Sequence, residues 1–356
     1  MVKGRIPFLT LAVISLLAGI LAGLWRAGWQ TPFPHTSLFN LHGPLMISGF
    51  LGTLISLERA IAHGTSWSFL IPVAAGLSGL LILADATAGF SPAFSVAAAS
   101  GYNVLIILFY QKAPSVSMAI MGLGAVSWLI GNVLWLGHLP VPRIIPWWAN
   151  FLVLTIAGER LELSRLLQPG RFRQLIFLAG ILLAITGAVF SLYDVRLAGK
   201  LLGSGYVVLS LWLFIHDLAR KQVRQKGLFR FMGLALISGY AWLGIGGLAY
   251  ILVGETTAGF RYDAMLHAIF LGFVFSMIFA HGPIIFPAVL KVRIAFHWIF
   301  YVHLVLLHAS LLVRVIGDMQ LSHAMRINGS LMNAVAILLF FLNTMLSVQR
   351  TNTPER

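Results

Sequence analysis

Two long apolar stretches of this chain carry histidines where hydrocarbon would surround them. Residues 259–290, GFRYDAMLHAIFLGFVFSMIFAHGPIIFPAVL, hold His267 about two turns from the start and His281 near the end. Residues 40–60, NLHGPLMISGFLGTLISLERA, hold His42 close to the start, and His-Gly-Pro occurs at both 42–44 and 281–283. Burying an imidazole in hydrocarbon is costly unless something holds it, so an intramembrane histidine begins as a functional candidate. Neutral imidazole is a good ligand for iron and copper. The chain has no cysteine, which excludes thiolate-ligated haem, iron–sulfur clusters and haem attachment through Cys-x-x-Cys-His. Any metal must be held by His, Met, carboxylate or backbone.

The elements that position these residues follow from composition. Of 356 residues 59% are hydrophobic and only 10% charged, whereas a soluble domain carries about a quarter charged. This predicts an all-α integral membrane bundle in one polytopic unit. Apolar runs and breaker clusters place twelve spans near 7–29, 38–61, 67–87, 92–112, 117–137, 145–166, 173–193, 198–216, 230–253, 261–288, 295–316 and 325–347. The first run has the basic start of a signal peptide but is longer than an h-region, and it reads as an uncleaved helix.

A net charge of +14 would suggest nucleic acid in a soluble protein. Here the basic residues sit in loops and fix topology. With the N-terminus cytoplasmic, seventeen Lys and Arg fall inside. Seven fall outside: Arg26, Arg143, Arg196, Lys200, Arg261, Arg314 and Arg326. Both termini therefore read as cytoplasmic, in the inner membrane, with lipid as the surrounding partner and no nucleic acid. Glu58-Arg59 ends span 2 and Glu159-Arg160 ends span 6. His281 reaches the same level in span 10, a pattern that fits three pseudo-repeats of four helices.

Depth sorts the histidines. His35, His138, His216 and His323 fall in loops, and His63 and His297 at the cytoplasmic interface. His42 and His267 lie about four and six residues into spans of the same direction, so their depths differ by about 3 Å. His281 lies about 21 Å below His267 and belongs to another site. Two level imidazoles on facing helices can fill both axial positions of a haem b iron. Haem propionates need cations, and Arg261 and Arg314 are the best placed, with Arg143 and Arg326 near the same face. His303 and His308, five residues apart, point about 140° from one another around their helix. His308 reads as a group that supports a ligand, a distal group or a ligand to a neighbouring copper, and His303 as a hydrogen-bonding group of the bundle interior and a weaker ligand candidate. His281 with Glu58 and Glu159 reads as a structural clasp, with a proton intake that has Asp85 as a further candidate as the sharper alternative. Methionines such as Met46, Met265 and Met277 read as packing.

The arrangement resembles subunit I of the haem–copper oxidase superfamily, and more closely the NnrS-type haem- and copper-containing membrane proteins linked to nitric oxide. The motifs are His42 in LHGPLMISGFLG, His267 in MLHAIFLGFVFSMI, and the pair LLVRVIGD at 311–318 and NGSLMNAVAILLFF at 328–341. The resemblance implies a haem protein of nitrosative stress. Spans 6 and 7 lack the three copper-binding histidines of the oxidases. The sequence 40–44, Asn-Leu-His-Gly-Pro, departs from the NnrS pattern His-x-His-Glu-Met. A proton-pumping oxidase with a complete binuclear centre is therefore not expected. The expected function is binding or redox handling of a small diatomic ligand, or electron transfer with a donor. A haem-free transporter or proton-coupled channel with pathway-lining histidines is the alternative, and an assembly scaffold is a third reading.

Overall fold

A computed structural model describes residues 3–29, 41–84, 90–164, 167 and 170–349. His35, Asn40, Asp85, Arg165, Arg350 and Arg356 lie outside them. The described residues form an all-α bundle with twelve helices long and apolar enough to cross a membrane. These are α1 (Ile6–Ala27), α2 (His42–His63), α3 (Ser66–Leu83), α4 (Phe90–Lys112), α5 (Val116–Leu136) and α6 (Val141–Ser164). The chain continues through α7 (Arg171–Phe190), α8 (Val195–His216), α9 (Gly227–Val253), α10 (Gly259–Leu290), α11 (Phe300–Met319) and α12 (His323–Leu346). The expected spans match within a few residues. The largest shift is at α11, which starts at Phe300 rather than 295. The residues before it form a two-residue strand, β1 (Arg293–Ile294), paired antiparallel with β2 (Val348–Gln349).

Sequential helices pack side by side, and α1 also meets α12. Small residues bring the helix backbones together where no hydrophobic drive from water exists. A Cβ added at Gly203 would lie 2.4 Å from the carbonyl oxygen of Gly247, so α8 and α9 touch backbone to backbone. The three most buried helices are α6, α10 and α2, with 78%, 67% and 61% of their apolar windows inside the protein. They form the interior against which the others lean. Each carries a residue at the Glu58 end of the bundle that the sequence singled out: Glu58-Arg59, Glu159-Arg160 or His281.

Helices α2 and α10 share a further irregularity. Each is π-helical immediately beyond its histidine, over Leu45–Gly52 and Ala268–Phe275. Eight-residue π segments are rare, and π turns concentrate at functional sites. In an α-helix residues eight apart sit about 80° apart around the axis. The wider turns reduce that angle, so His42 and Phe50, and likewise His267 and Phe275, can face the same neighbour.

Candidate haem site

The facing pairs are visible directly. The rings of His42 and His267 lie 6.1 Å apart between centroids with planes 27° from parallel. Eight residues along both helices, Phe50 and Phe275 lie 6.2 Å apart at 23°. Thus α2 and α10 run in register, histidine opposite histidine and phenylalanine opposite phenylalanine.

Both histidines are anchored through Nδ1. His42 Nδ1 lies 2.7 Å from the carbonyl oxygen of Gly19, and His267 Nδ1 lies 2.9 Å from that of Asp263. A carbonyl only accepts, so each Nδ1 carries the proton and donates it, leaving Nε2 with a bare lone pair. Metal-ligating histidines characteristically hold their other nitrogen this way. The seat of His42 is made by glycine. A Cβ on Gly23 of α1 would lie 2.8 Å from His42 Cε1, and one on Gly19 would lie 2.5 Å from Met46 Sδ.

A cavity of about 820 Å³, open mouth included, runs between these rings. It is bounded by Ile20, Gly23 and Leu24 of α1, Met46, Ile47 and Leu51 of α2, Phe270, Leu271 and Phe275 of α10, and Ile337 of α12. Polar groups enter from one side only: Arg314 of α11 with Ser330 and Asn333 of α12. The Ser330 hydroxyl is buried without a hydrogen-bond partner.

Behind Arg314 stands an ion network that the sequence reading passed over. Asp263 accepts from Arg314 Nε at 2.8 Å and Nη2 at 3.0 Å, and Arg326 approaches Oδ1, the oxygen that takes Arg314 Nη2, at 3.5 Å. Asp318, fully buried, lies 3.6 Å from Arg326 Nε. Arg314 Nη2 also donates to His267 Nε2 at 3.3 Å. The available signal was the spacing Asp263-x-x-x-His267, which puts a carboxylate and an imidazole on one helix face.

The remaining candidates are placed elsewhere. Arg261 is exposed and does not line the cavity. It stands two residues from Asp263, and positions i and i+2 do not share a helix face. His308 accepts from Trp242 Nε1 at 3.0 Å through Nδ1, and the Asn343 amide meets His303 Nδ1 at 3.1 Å. An Nδ1 that accepts puts the proton on Nε2, so neither ring offers a bare Nε2, and both Nε2 atoms are buried without partners. Neither lines the cavity. His303 sits in an aromatic box of Phe231, Phe279, Phe300 and Phe340.

At the opposite end Arg59 pairs with Glu159 across α2 and α6. Arg160 grips Asp217, which follows α8, through Nε at 2.9 Å and Nη2 at 2.7 Å. His281 donates to the carbonyl of Met277 at 2.7 Å. The two ion pairs tie α6 to α2 and to the segment after α8, as a clasp does, whereas the His281 bond stays within α10. Of the expected group, Glu159 takes part in an ion pair, His281 bonds to neither Glu58 nor Glu159 among the described contacts, and Asp217, which the sequence did not mark, completes the second pair.

Residues 5–349 match the model of a family described as a domain of unknown function, DUF8744. The chain belongs to that family. No curated protein matches it.

Among the described residues no three His, Asp or Glu side chains gather as a metal-ion cage. A porphyrin brings its own equatorial nitrogens and asks the protein only for axial ligands. His42 and His267 would be the residues to hold it. Two unprotonated Nε2 atoms, apolar walls and polar groups on one side fit that group.

Proposed function

We propose that this chain is a haem-binding membrane protein, with His42 and His267 as axial ligands, that binds or reduces a small diatomic ligand such as nitric oxide. One observation carries the reading. Two imidazoles from helices 225 residues apart in sequence meet in register, each with Nδ1–H on a carbonyl and Nε2 unprotonated. A transport pathway needs no such pairing of tautomers. The likeness to the NnrS-type proteins and placement in the inner membrane with both termini inside, which the distribution of basic residues supports, belong to the same reading.

The residues divide the work. His42 and His267 hold the group. Ile20, Leu24, Met46 and Phe270 offer apolar contact to a macrocycle and keep water away. Arg314, Ser330 and Asn333 supply donors for carboxylates on one side. When bound, such a group would supply a one-electron couple and an affinity for diatomic ligands. The Phe50–Phe275 pair packs beneath the histidines, so Arg314, Ser330 and Asn333 are the polar groups that a ligand in this cavity meets.

The test is an optical spectrum of the full chain purified from cells supplied with haem precursor. The reading expects a Soret band, altered by His42→Ala and by His267→Ala and missing in the double variant. A colourless wild-type protein that also takes up no added haem would overturn it.

A further inference from the structure

We infer that the two histidines are unequal: His42 is the fixed ligand, and His267 the releasable one, drawn back by Arg314. This rests on the haem reading and decides which side of the iron opens.

The two rings have the same anchorage at Nδ1 and different surroundings at Nε2. No protein donor reaches His42 Nε2 among the described residues, and the wall at Gly23 leaves its ring no room to retreat toward α1. At His267 the guanidinium of Arg314 already donates to Nε2 at 3.3 Å. One lone pair serves one partner, either iron or an N–H. If His267 leaves iron, its lone pair enters a charge-assisted hydrogen bond. If His42 leaves, its lone pair is stranded in an apolar cavity, which carries the desolvation cost of an unsatisfied acceptor.

Arg314 is built to wait there. Asp263 holds it in a bidentate grip at 2.8 and 3.0 Å, and Arg326 braces that carboxylate at 3.5 Å. Nη2 has two hydrogens, one for Asp263 and one for His267. On the backbone side, a Cβ at Gly329 of α12 would lie 2.8 Å from both Cβ and N of Arg314, so α12 locks the residue at its root. Asp263 also owns the carbonyl that fixes the His267 tautomer. One residue therefore orients the ring and aims the competitor for its lone pair. Arg314 and Asp263 are positioning residues, and the ligand they favour is a neutral diatomic that takes the position His267 vacates.

The experiment uses haem-loaded full-length protein and carbon monoxide as the probe of the ferrous form. Against wild type, the charge-balanced double variant Asp263→Asn/Arg314→Met should keep its haem. It should show stronger low-spin, six-coordinate bands and bind carbon monoxide at least about tenfold more weakly. His267→Ala should retain haem, become five-coordinate and bind carbon monoxide more tightly, whereas His42→Ala should lose most of its haem. If the double variant retains haem with unchanged bands and carbon monoxide affinity, the proposal fails. It also fails if His42→Ala and His267→Ala lose haem equally. Should the double variant fold poorly, Arg314→Lys, which keeps the charge and loses the fork, must shift the same bands in the same direction. A wild-type protein without a Soret band removes the haem reading itself, an outcome distinct from both failures.

Discussion

Two buried aspartates at opposite ends of this bundle have opposite fates. Asp217 is 1% exposed and its oxygens accept from Arg160 Nε and Nη2 and from the backbone N–H of Ala219, with Ser164 nearby at 3.4 Å. Asp318 is 0% exposed, yet neither oxygen accepts from a nitrogen donor: its carboxyl meets that of Asp263, and Arg326 stands 3.6 Å away. A buried charge is tolerated when it is paired and fully hydrogen-bonded. By that rule the Asp217 end is a finished joint. The Asp318 end is an unfinished one, and it borders the cavity between the two histidines. Incomplete satisfaction beside a cavity marks a working site, whereas complete satisfaction within packed helices marks a fastening.

The contrast breaks first at the fastening. Asp217→Ala leaves the Arg160 guanidinium, itself 1% exposed, buried without its partner. Breaking a buried pair this way costs about 3–5 kcal/mol, read as a large loss of thermal stability and of monodisperse protein in detergent. Replacing both partners, as Arg160→Met with Asp217→Leu, should recover much of that loss. A single variant that melts with the wild type would mean that Arg160 and Asp217 do not fasten α6 to the segment after α8.

A smaller effect is expected at the histidine seat. Gly23→Ala puts a methyl 2.8 Å from a rigid imidazole carbon, and Gly19→Ala puts one 2.5 Å from the end of a flexible methionine. Overpacking costs about 1–3 kcal/mol, and the unbranched side chain of Met46 can give way more readily. Gly23→Ala should therefore lower the Soret absorbance per protein more than Gly19→Ala does. Equal loss would show that the ring of His42 moves freely and is not seated by α1.

The sequence showed the spans and the level of His42 and His267 because both depend on local quantities: run length, and distance from a helix end. The ring-to-ring pairing needed one further step, that α2 and α10 are neighbours, and the similar patterns around the two histidines hinted at it. The tautomers were hidden, since they depend on carbonyls of Gly19 and Asp263 brought close by packing. Arg314 was marked for its charge and found beside His267, but its partner is Asp263, a residue inside the organising stretch whose i, i+4 relation to His267 was in plain view. Arg261 was placed by depth alone, and depth does not say which way a helix face turns. His303 and His308 drew notice for their type. Trp242 and Asn343, distant in sequence, decide their protonation.

The smallest effect should come from Asp318→Asn, and it sharpens the comparison most. Asp217→Asn replaces one of the two acceptor oxygens of a bidentate Arg grip with an amide NH2 that faces N–H groups. Asp318→Asn breaks no hydrogen bond from an arginine or backbone donor, because none is made, and the new amide can still donate to the Asp263 carboxylate that Asp318 meets. A substitution that gives up no bond has little to lose, about 1 kcal/mol or less. Differential scanning of the two variants side by side should give a loss for Asp318→Asn well under half of that for Asp217→Asn, with haem content unchanged. Equal losses would mean that the 3.6 Å approach of Arg326 works as a joint despite its length. The two ends of the bundle would then be the same kind of structure, and Asp318 would no longer set the cavity end apart.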